Sequence, residues 1–260
     1  MRTFRLVAAL LMVALCFNFV SCSKDEEGSN PDKQTKRLVS VSYTNEDGDK
    51  DNLQIEYENG KVSKTTTTYY DDGLNTDIYT YSYSGNTVTE VHKGGRTTNY
   101  KLNDNGYITE GLSTDGSDIW EFGYSGNFLT SVVLTYSVTG RKDIDEKFTY
   151  NNEGLLTSDS DGFDYIEYTD IPNIGNLFLT YSDEYPLTGI SIQAFYAGIL
   201  GNAAKRLPKE ARSGDYRETY SYELDKDGYV KNCTITQKDY DGGKTYTYIW
   251  KGTYTYEPCE

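Results

Sequence analysis

Large aromatic residues alternate with small polar ones along most of the chain. Tyr79-x-Tyr81-x-Tyr83 and Tyr220-x-Tyr222 are typical segments, with Thr or Ser between the rings. A period of two places successive side chains on opposite faces of a β-strand. The alternation therefore predicts strands that have one aromatic face and one polar face.

Turn signals separate these segments at regular intervals. Asn59-Gly60 and Asp227-Gly228 are examples, and they suit tight hairpins because Gly and Asn adopt positive φ at little cost. Strands with turn signals every eight to twelve residues indicate antiparallel pairing throughout. We predict an all-β protein, an up-and-down meander of about 12–15 strands that curves into a partly closed, barrel-like sheet.

One segment departs from the alternation. Its apolar residues fall at i, i+3, i+4, i+7 and i+8, and they are Ile192, Phe195, Tyr196, Ile199 and Leu200. This spacing predicts one helical insert near 187–206, ended by Pro208 and weakened by Gly198 and Gly201. We expect the helix to cover one face or one end of the sheet.

The amino terminus reads as an export signal. Arg2 and Arg5 precede an uncharged apolar run, 6–20, that is shorter than the roughly twenty residues a membrane span needs. Phe19-Val20-Ser21-Cys22 resembles the lipobox of bacterial lipoproteins. The resemblance implies cleavage of residues 1–21 and acylation of Cys22, including palmitate, so that lipid attaches the protein to the membrane. An ordinary signal peptide with an incidental Cys is the alternative.

Residues 22–36 are predicted to form a flexible acidic tether, since no apolar side chain follows Cys22 before Arg37. Ser23-Lys24-Asp25-Glu26-Glu27 resembles the acidic export tag of Bacteroidota surface lipoproteins. That resemblance implies exposure on the outer membrane, with the periplasmic face as the alternative. Residues 37–260 are predicted to form a single β-meander domain.

Amino-acid composition limits the classes of molecule that the protein is expected to bind. The formal net charge is −15, so nucleic acid is excluded as a partner because phosphate binding needs clustered Lys and Arg. The 26 tyrosines supply large rings that must mostly be covered. We expect most of them to form the core and some to form a platform that stacks carbohydrate. The representative candidates are Tyr81, Trp120, Tyr222 and Trp250.

No catalytic residue, metal site or cofactor is predicted. The single His, His92, lies beside a turn, and none of the familiar catalytic motifs is present. Asp47-x-Asp49-x-Asp51 begins like a calcium loop, but Asn52 stands where that loop requires Gly. We therefore expect a protein that is not an enzyme, with a carboxylate-dependent glycoside hydrolase as the least favoured alternative.

Two cysteines remain in the carboxyl-terminal region. An oxidising envelope permits a disulfide between Cys233 and Cys259. A hairpin centred on Asp241-Gly242 sets Cys233 opposite Trp250, so a bridge requires the tail to fold back. The sequence is compatible with both states of these cysteines, bridged and free.

Two resemblances rest on these repeats. The Tyr-x-Tyr units over about 53–156 look like the YD/RHS hairpin repeats of bacterial surface proteins. Residues 207–209, 220–222, 225–230 and 254–256 are similar to a Bacteroidota lipoprotein family of unknown function with a porin-like fold. This resemblance implies a curved antiparallel meander and carries no functional residue. It does not imply a pore, because the face opposite the rings is polar, as at Thr80, Ser82 and Glu121, and unsuited to lipid.

We interpret the chain as a surface lipoprotein of the outer membrane that acts as a binding or scaffold module. Its expected partners are the membrane, through the lipid on Cys22, and carbohydrate, through exposed Tyr and Trp rings. The alternative is a component of an envelope complex that binds another protein through a sheet edge or an aromatic face.

Overall fold

The computed structural model describes residues 35–70, 73–159, 163–179 and 197–259, and these contain sixteen β-strands and no helix. In chain order the strands are β1 Lys36–Asn45, β2 Lys50–Glu58, β3 Lys61–Tyr70, β4 Leu74–Ser84, β5 Thr87–His92, β6 Thr97–Leu102, β7 Ile108–Ser113, β8 Asp118–Ser125, β9 Phe128–Tyr136, β10 Arg141–Tyr150, β11 Leu156–Asp159, β12 Tyr165–Pro172, β13 Arg206–Ser213, β14 Tyr216–Leu224, β15 Val230–Asp241 and β16 Lys244–Pro258. None of the described residues belongs to a helix of the length and apolarity that a membrane crossing requires.

All sixteen strands belong to one antiparallel sheet. Its order runs from β11 down to β1, continues to β16, and then runs down to β12. The first and last strands pair over most of their length, for example Val41 with Tyr254, so the two ends of the meander meet in the middle of the sheet. The predicted all-β, antiparallel, barrel-like meander is confirmed, with one strand more than the predicted range.

The barrel is nearly closed. β11 and β12 lie at the two ends of the strand order, and no ladder joins them among the described residues. A side chain spans this seam instead, because the Tyr168 hydroxyl on β12 donates to the Leu156 carbonyl on β11 at 2.8 Å.

The aromatic face of the strands points into the barrel. Tyr81, Tyr100 and Trp120 are buried, whereas Thr80 and Ser82, which flank Tyr81, are exposed. This is the arrangement that the period-two pattern predicts. The rings that dominate the composition therefore form the core, together with apolar residues of the same inward positions.

Successive turns of the meander alternate between the two ends of the barrel. The turns after the even-numbered strands β2 to β14 lie at one end, together with the start of β1 and the last residues of β16. We call this the closed end. The remaining turns, including Gly242-Gly243 between β15 and β16, lie at the other end, which we call the open end.

The connection between β12 and β13 covers the closed end. We call its described residues, 173–179 and 197–205, the plug. Its buried apolar residues are Leu177, Phe178, Leu179, Ile199, Leu200 and Ala203. Backbone hydrogen bonds fix it to neighbouring turns, since Ile108 N–H donates to the Ile199 carbonyl and Asn202 N–H to the Asn127 carbonyl, both at 2.8 Å.

The predicted helix near 187–206 is wrong over its described part. Residues 197–200 form a turn, and Arg206 already begins β13. Gly198 and Gly201 have φ of +73° and +89°, which ends any right-handed helix between them. The apolar spacing had a different cause, because Ile199 and Leu200 are buried by packing on the barrel end. Residues 187–196 lie outside the described residues.

Candidate binding surface at the open end

The inward side chains change character from one end of the barrel to the other. On β2, Leu53 and Ile55 lie in the buried core, whereas Asp51 lies next to the open end. On β8, Asp118 is the first inward residue from the open end, followed by Trp120 and then by Phe122, which is the farthest of the three from that end. Polar groups therefore collect on the inner face near the open end, where a ligand could reach them.

Two of the four predicted binding aromatics lie in the core. Trp120 is among the most buried side chains and stacks on Phe122, with ring centroids 6.3 Å apart. Tyr81 is buried on the same inner face, on β4, the strand next to the β2–β3 hairpin. Neither ring offers a face to a ligand in this structure, because the alternation that identified them also marks core positions.

The other two predicted aromatics are half-buried. Tyr222 packs against the core, and its hydroxyl donates to the Pro208 carbonyl at 2.6 Å. Trp250 lies on β16 opposite Ile235 of β15 and Asn45 of β1, closer to the open end than the buried Tyr254. Of the four, Trp250 is the one that belongs to a surface with exposed rings.

That surface is an aromatic row on the inner face of β16, formed by Tyr246, Tyr248 and Trp250. The three residues alternate with outward residues, so their side chains share a face and repeat every ~6.8 Å. Tyr246 is 42% exposed and Tyr248 is 54% exposed. β1 pairs with β16 only up to Trp250, so this end of the β15–β16 hairpin extends past the neighbouring strand at the open end.

The sequence analysis missed Tyr246 and Tyr248 as binding candidates. The alternation Tyr246-x-Tyr248-x-Trp250 was visible in the sequence, but it looked like that of the core strands. Only the register of the strands, which shows where β1 stops pairing with β16, separates exposed rings from buried ones.

A chain of polar groups lies beside the row. The Trp250 indole N–H donates to Gln237 Oε1 at 3.1 Å, and Gln237 Nε2 donates to Glu218 Oε1 at 2.9 Å. The Tyr216 hydroxyl donates to the same oxygen at 2.6 Å, while the Tyr220 hydroxyl donates to Glu218 Oε2. These bonds run across β16, β15 and β14 and hold Trp250 in one orientation.

A second polar group lies on the inner face of β4 and β5. His92 Nε2 lies 3.2 Å from Asp77 Oδ1, and its ring packs on Tyr79 with centroids 4.8 Å apart. Burial, aided by nearby Glu90 and Asp77, raises the pKa of Tyr79 to about 12, so this phenol stays protonated at neutral pH. Within the described ranges, no three His, Cys, Asp or Glu side chains are grouped to hold a metal ion.

The bridge between Cys233 and Cys259, which the sequence left open, is not formed. Cys233 is a buried free thiol on the inner face of β15. Burial, followed by the charge of Glu218, raises its pKa to about 12. Cys259 lies past the end of β16, where its N–H donates to the Thr35 carbonyl at 3.0 Å, and this position at the closed end is away from Cys233.

The start of β1 is clamped at the closed end. The Tyr229 hydroxyl accepts hydrogen bonds from Thr35 N–H at 2.8 Å and Lys36 N–H at 3.0 Å. Lys36 Nζ lies 2.6 Å from a carboxylate oxygen of both Asp225 and Asp227. The predicted lipidation site, Cys22, and residues 22–34 of the predicted tether lie outside the described residues. Thr35 and Lys36, at the end of the predicted tether, are held by these bonds, and the chain enters the barrel at this end.

Comparison with solved structures identifies the fold. A crystal structure of a porin-like protein from Bacteroides uniformis matches with a TM-score of 0.71 and 22% identity, covering 86% of this chain and 99% of that chain. A porin-like protein from Bacteroides vulgatus matches with a TM-score of 0.53 and 14% identity, at the same coverage. The chain has a porin-like fold. No family model and no curated protein matches the sequence.

Proposed function

We propose that the protein is a lipid-anchored binding module of the outer-membrane surface, which holds carbohydrate at the open end of its barrel. The observation that carries this proposal is the exposed aromatic row, Tyr246, Tyr248 and Trp250, on the inner face of β16. The proposal assigns binding to this surface, and no catalytic step.

Exposed rings on an otherwise polar surface favour a ligand. A pyranose ring presents C–H groups on its faces and hydroxyls at its edge. Aromatic rings that are flanked by amide and carboxylate groups suit both features. Gln237 and Asp239 on β15 lie opposite Tyr248 and Tyr246 and supply those polar groups.

The orientation of the barrel relative to its predicted lipid anchor supports a role in capturing carbohydrate from the medium. The chain enters at the closed end, where Tyr229 and Lys36 clamp the start of β1. A tether that begins at an acylated Cys22 would therefore present the closed end to the membrane and the open end to the medium. Several acyl chains on one residue suffice for stable anchoring, at about 0.8 kcal/mol per buried methylene.

The outer face supports a barrel that stands in water. Its residues on β2 and β4 include Gln54, Glu56, Thr80 and Ser82, all of which are exposed. A strand that faces lipid would carry apolar residues at these positions. We therefore place the barrel outside the bilayer, held by the lipid.

Binding to whole cells tests both parts of the proposal. Cells that carry the full chain should retain fluorescent oligosaccharides of a glycan array, and the double variant Y246A/Y248A should bind at least about tenfold more weakly. Cys22→Ser should move the binding from the cells to the medium or periplasm without weakening it. Protease added to intact cells should remove the barrel.

The matched control is Tyr240→Ala. Tyr240 lies on the same hairpin and is 43% exposed, but it points outward. This variant should bind as the wild type does. Equal losses in Tyr240→Ala and Y246A/Y248A, or no retention of any oligosaccharide, would contradict carbohydrate binding by the row. Capture of an envelope protein in place of sugar would favour the protein-binding alternative.

A further inference from the structure

We propose that the carbohydrate bound by the row carries free amino groups, so that its preferred ligand is a cationic amino-sugar oligosaccharide. This inference rests on the proposed function and adds the class of sugar. It is argued from the charges that lie beside Tyr246, Tyr248 and Trp250 on the same face of the sheet.

Glu218 is a buried carboxylate next to the row. It is 3% exposed, and its oxygens accept hydrogen bonds from three neutral donors, on Tyr216, Tyr220 and Gln237. No Lys or Arg among the described residues forms an ion pair with it. Since these partners are neutral, no cation in contact with the carboxylate opposes its attraction for a positive group near Trp250.

Asp239 adds a second negative charge at the row. It lies opposite Tyr246 on β15 and is exposed, so a ligand that lies along the row can contact its carboxylate. It too forms no ion pair within the described part of the chain. Lys244 is a cation on the same face of the β15–β16 hairpin, but it lies at the tip, at the opposite end of the row from Trp250.

The other side of the open end has the same sign of charge. Asp51, Asp77 and Asp118 lie on the inner face. Arg96 pairs with Asp118, and His92 lies beside Asp77. Carboxylates therefore outnumber cations on this inner face, which disfavours uronic acids and sulfated sugars by like-charge repulsion.

An amino sugar combines the two features that this surface offers. Its ring can stack on Tyr246 or Tyr248, while its ammonium group forms a charge-assisted hydrogen bond to Asp239 and is attracted to an aromatic face. A neutral sugar satisfies only the first of these contacts. The structure thus favours a ligand that is apolar on its ring face and positive at its edge.

A matched pair of probes separates the two contacts. Glucosamine oligosaccharides and N-acetylglucosamine oligosaccharides of equal length differ only in the charge and acetylation of the amine. We expect the wild-type full chain to bind the glucosamine form about tenfold more tightly in isothermal titration, with the preference shrinking as salt rises. Asp239→Asn should reduce the preference, because it should weaken binding of the glucosamine form more than binding of the acetylated form.

Glu218→Gln is the second variant, and its unfolding midpoint must be measured because the residue is buried. If it folds, it should lower the preference further. Equal affinity for both probes, with both lost in Y246A/Y248A, would overturn the amino-sugar inference and leave the proposed function standing. Absence of binding to either probe and to neutral oligosaccharides would overturn both. Preference for an anionic oligosaccharide would overturn the inference alone.

Discussion

The closed end and the open end of this barrel are built from the same strands, yet they differ in what their inward residues do. At the closed end, the plug adds Ile199 and Leu200 to the aliphatic and aromatic core, and both residues are fully buried. At the open end, inward positions carry carboxylates and the exposed Tyr248. The difference teaches that one alternating pattern can supply a core at one end of a strand and a binding surface at the other.

The largest expected effect is a loss of stability on truncating a ring of the buried core. Trp120→Ala should lower the free energy of unfolding by about 3–5 kcal/mol, because it removes a buried indole and leaves a cavity. Tyr248→Ala, at the open end, should cost less than about 0.5 kcal/mol, since half of its surface is already in water. Urea titration of both variants measures the contrast. Similar losses would show that the buried core and the aromatic row do not differ in packing.

A smaller difference in stability is expected between Ala substitutions at two glycines that both have positive φ. At Gly201 of the plug, an added Cβ would meet the Asn127 carbonyl oxygen at 2.5 Å, in addition to the strain of φ +89°. Gly201→Ala should therefore destabilise by about 2–4 kcal/mol. At Gly242 of the open hairpin, φ is +55° with no atom within 4 Å, so Gly242→Ala should cost about 1 kcal/mol. Thermal unfolding of the two variants compares them directly, and a reversed order would contradict the role of the plug.

The smallest expected effect is a dependence of folding stability on pH, caused by Asp115 in a turn at the open end. Hydrogen bonds from the Ser113 hydroxyl and the Ser117 N–H lower the pKa of Asp115 from 3.8 to about 2. The ionised form is thus favoured by folding, so its contribution is complete above about pH 4 and disappears as the pH falls through about 2. NMR titration of the carboxyl carbon should show the low pKa, and Ser113→Ala should raise it. An unchanged pKa in that variant would contradict the hydrogen bond from Ser113 as its main cause.

Much of the fold was predictable because local patterns agree with the global structure. The alternation around Tyr81 and Tyr220 predicted strands, and Gly turns such as Gly60 and Gly228 predicted their hairpins. The failure at Ile199 and Leu200 has a physical cause. A helical spacing records only which residues are buried, and here the burial comes from packing on turns of the barrel, with backbone bonds that a helix would not make.

The candidate site was less predictable. Trp250 was selected among the binding aromatics, but Tyr246 and Tyr248, four and two residues before it, were not. In sequence they cannot be told from Tyr254, which is buried on the same face of the same strand. Their exposure depends on the length by which β16 extends past β1, and therefore on a pairing between residues some two hundred positions apart.

The sequence alone determined that rings and polar residues occupy opposite faces of antiparallel strands, because a period of two has one structural meaning in a strand. The tertiary structure decided which rings are covered, that β1 joins β16, and that the chain enters the barrel at the plugged end. Those outcomes depend on strand register and closure, which arise from contacts between distant residues and leave no periodic signal in the chain.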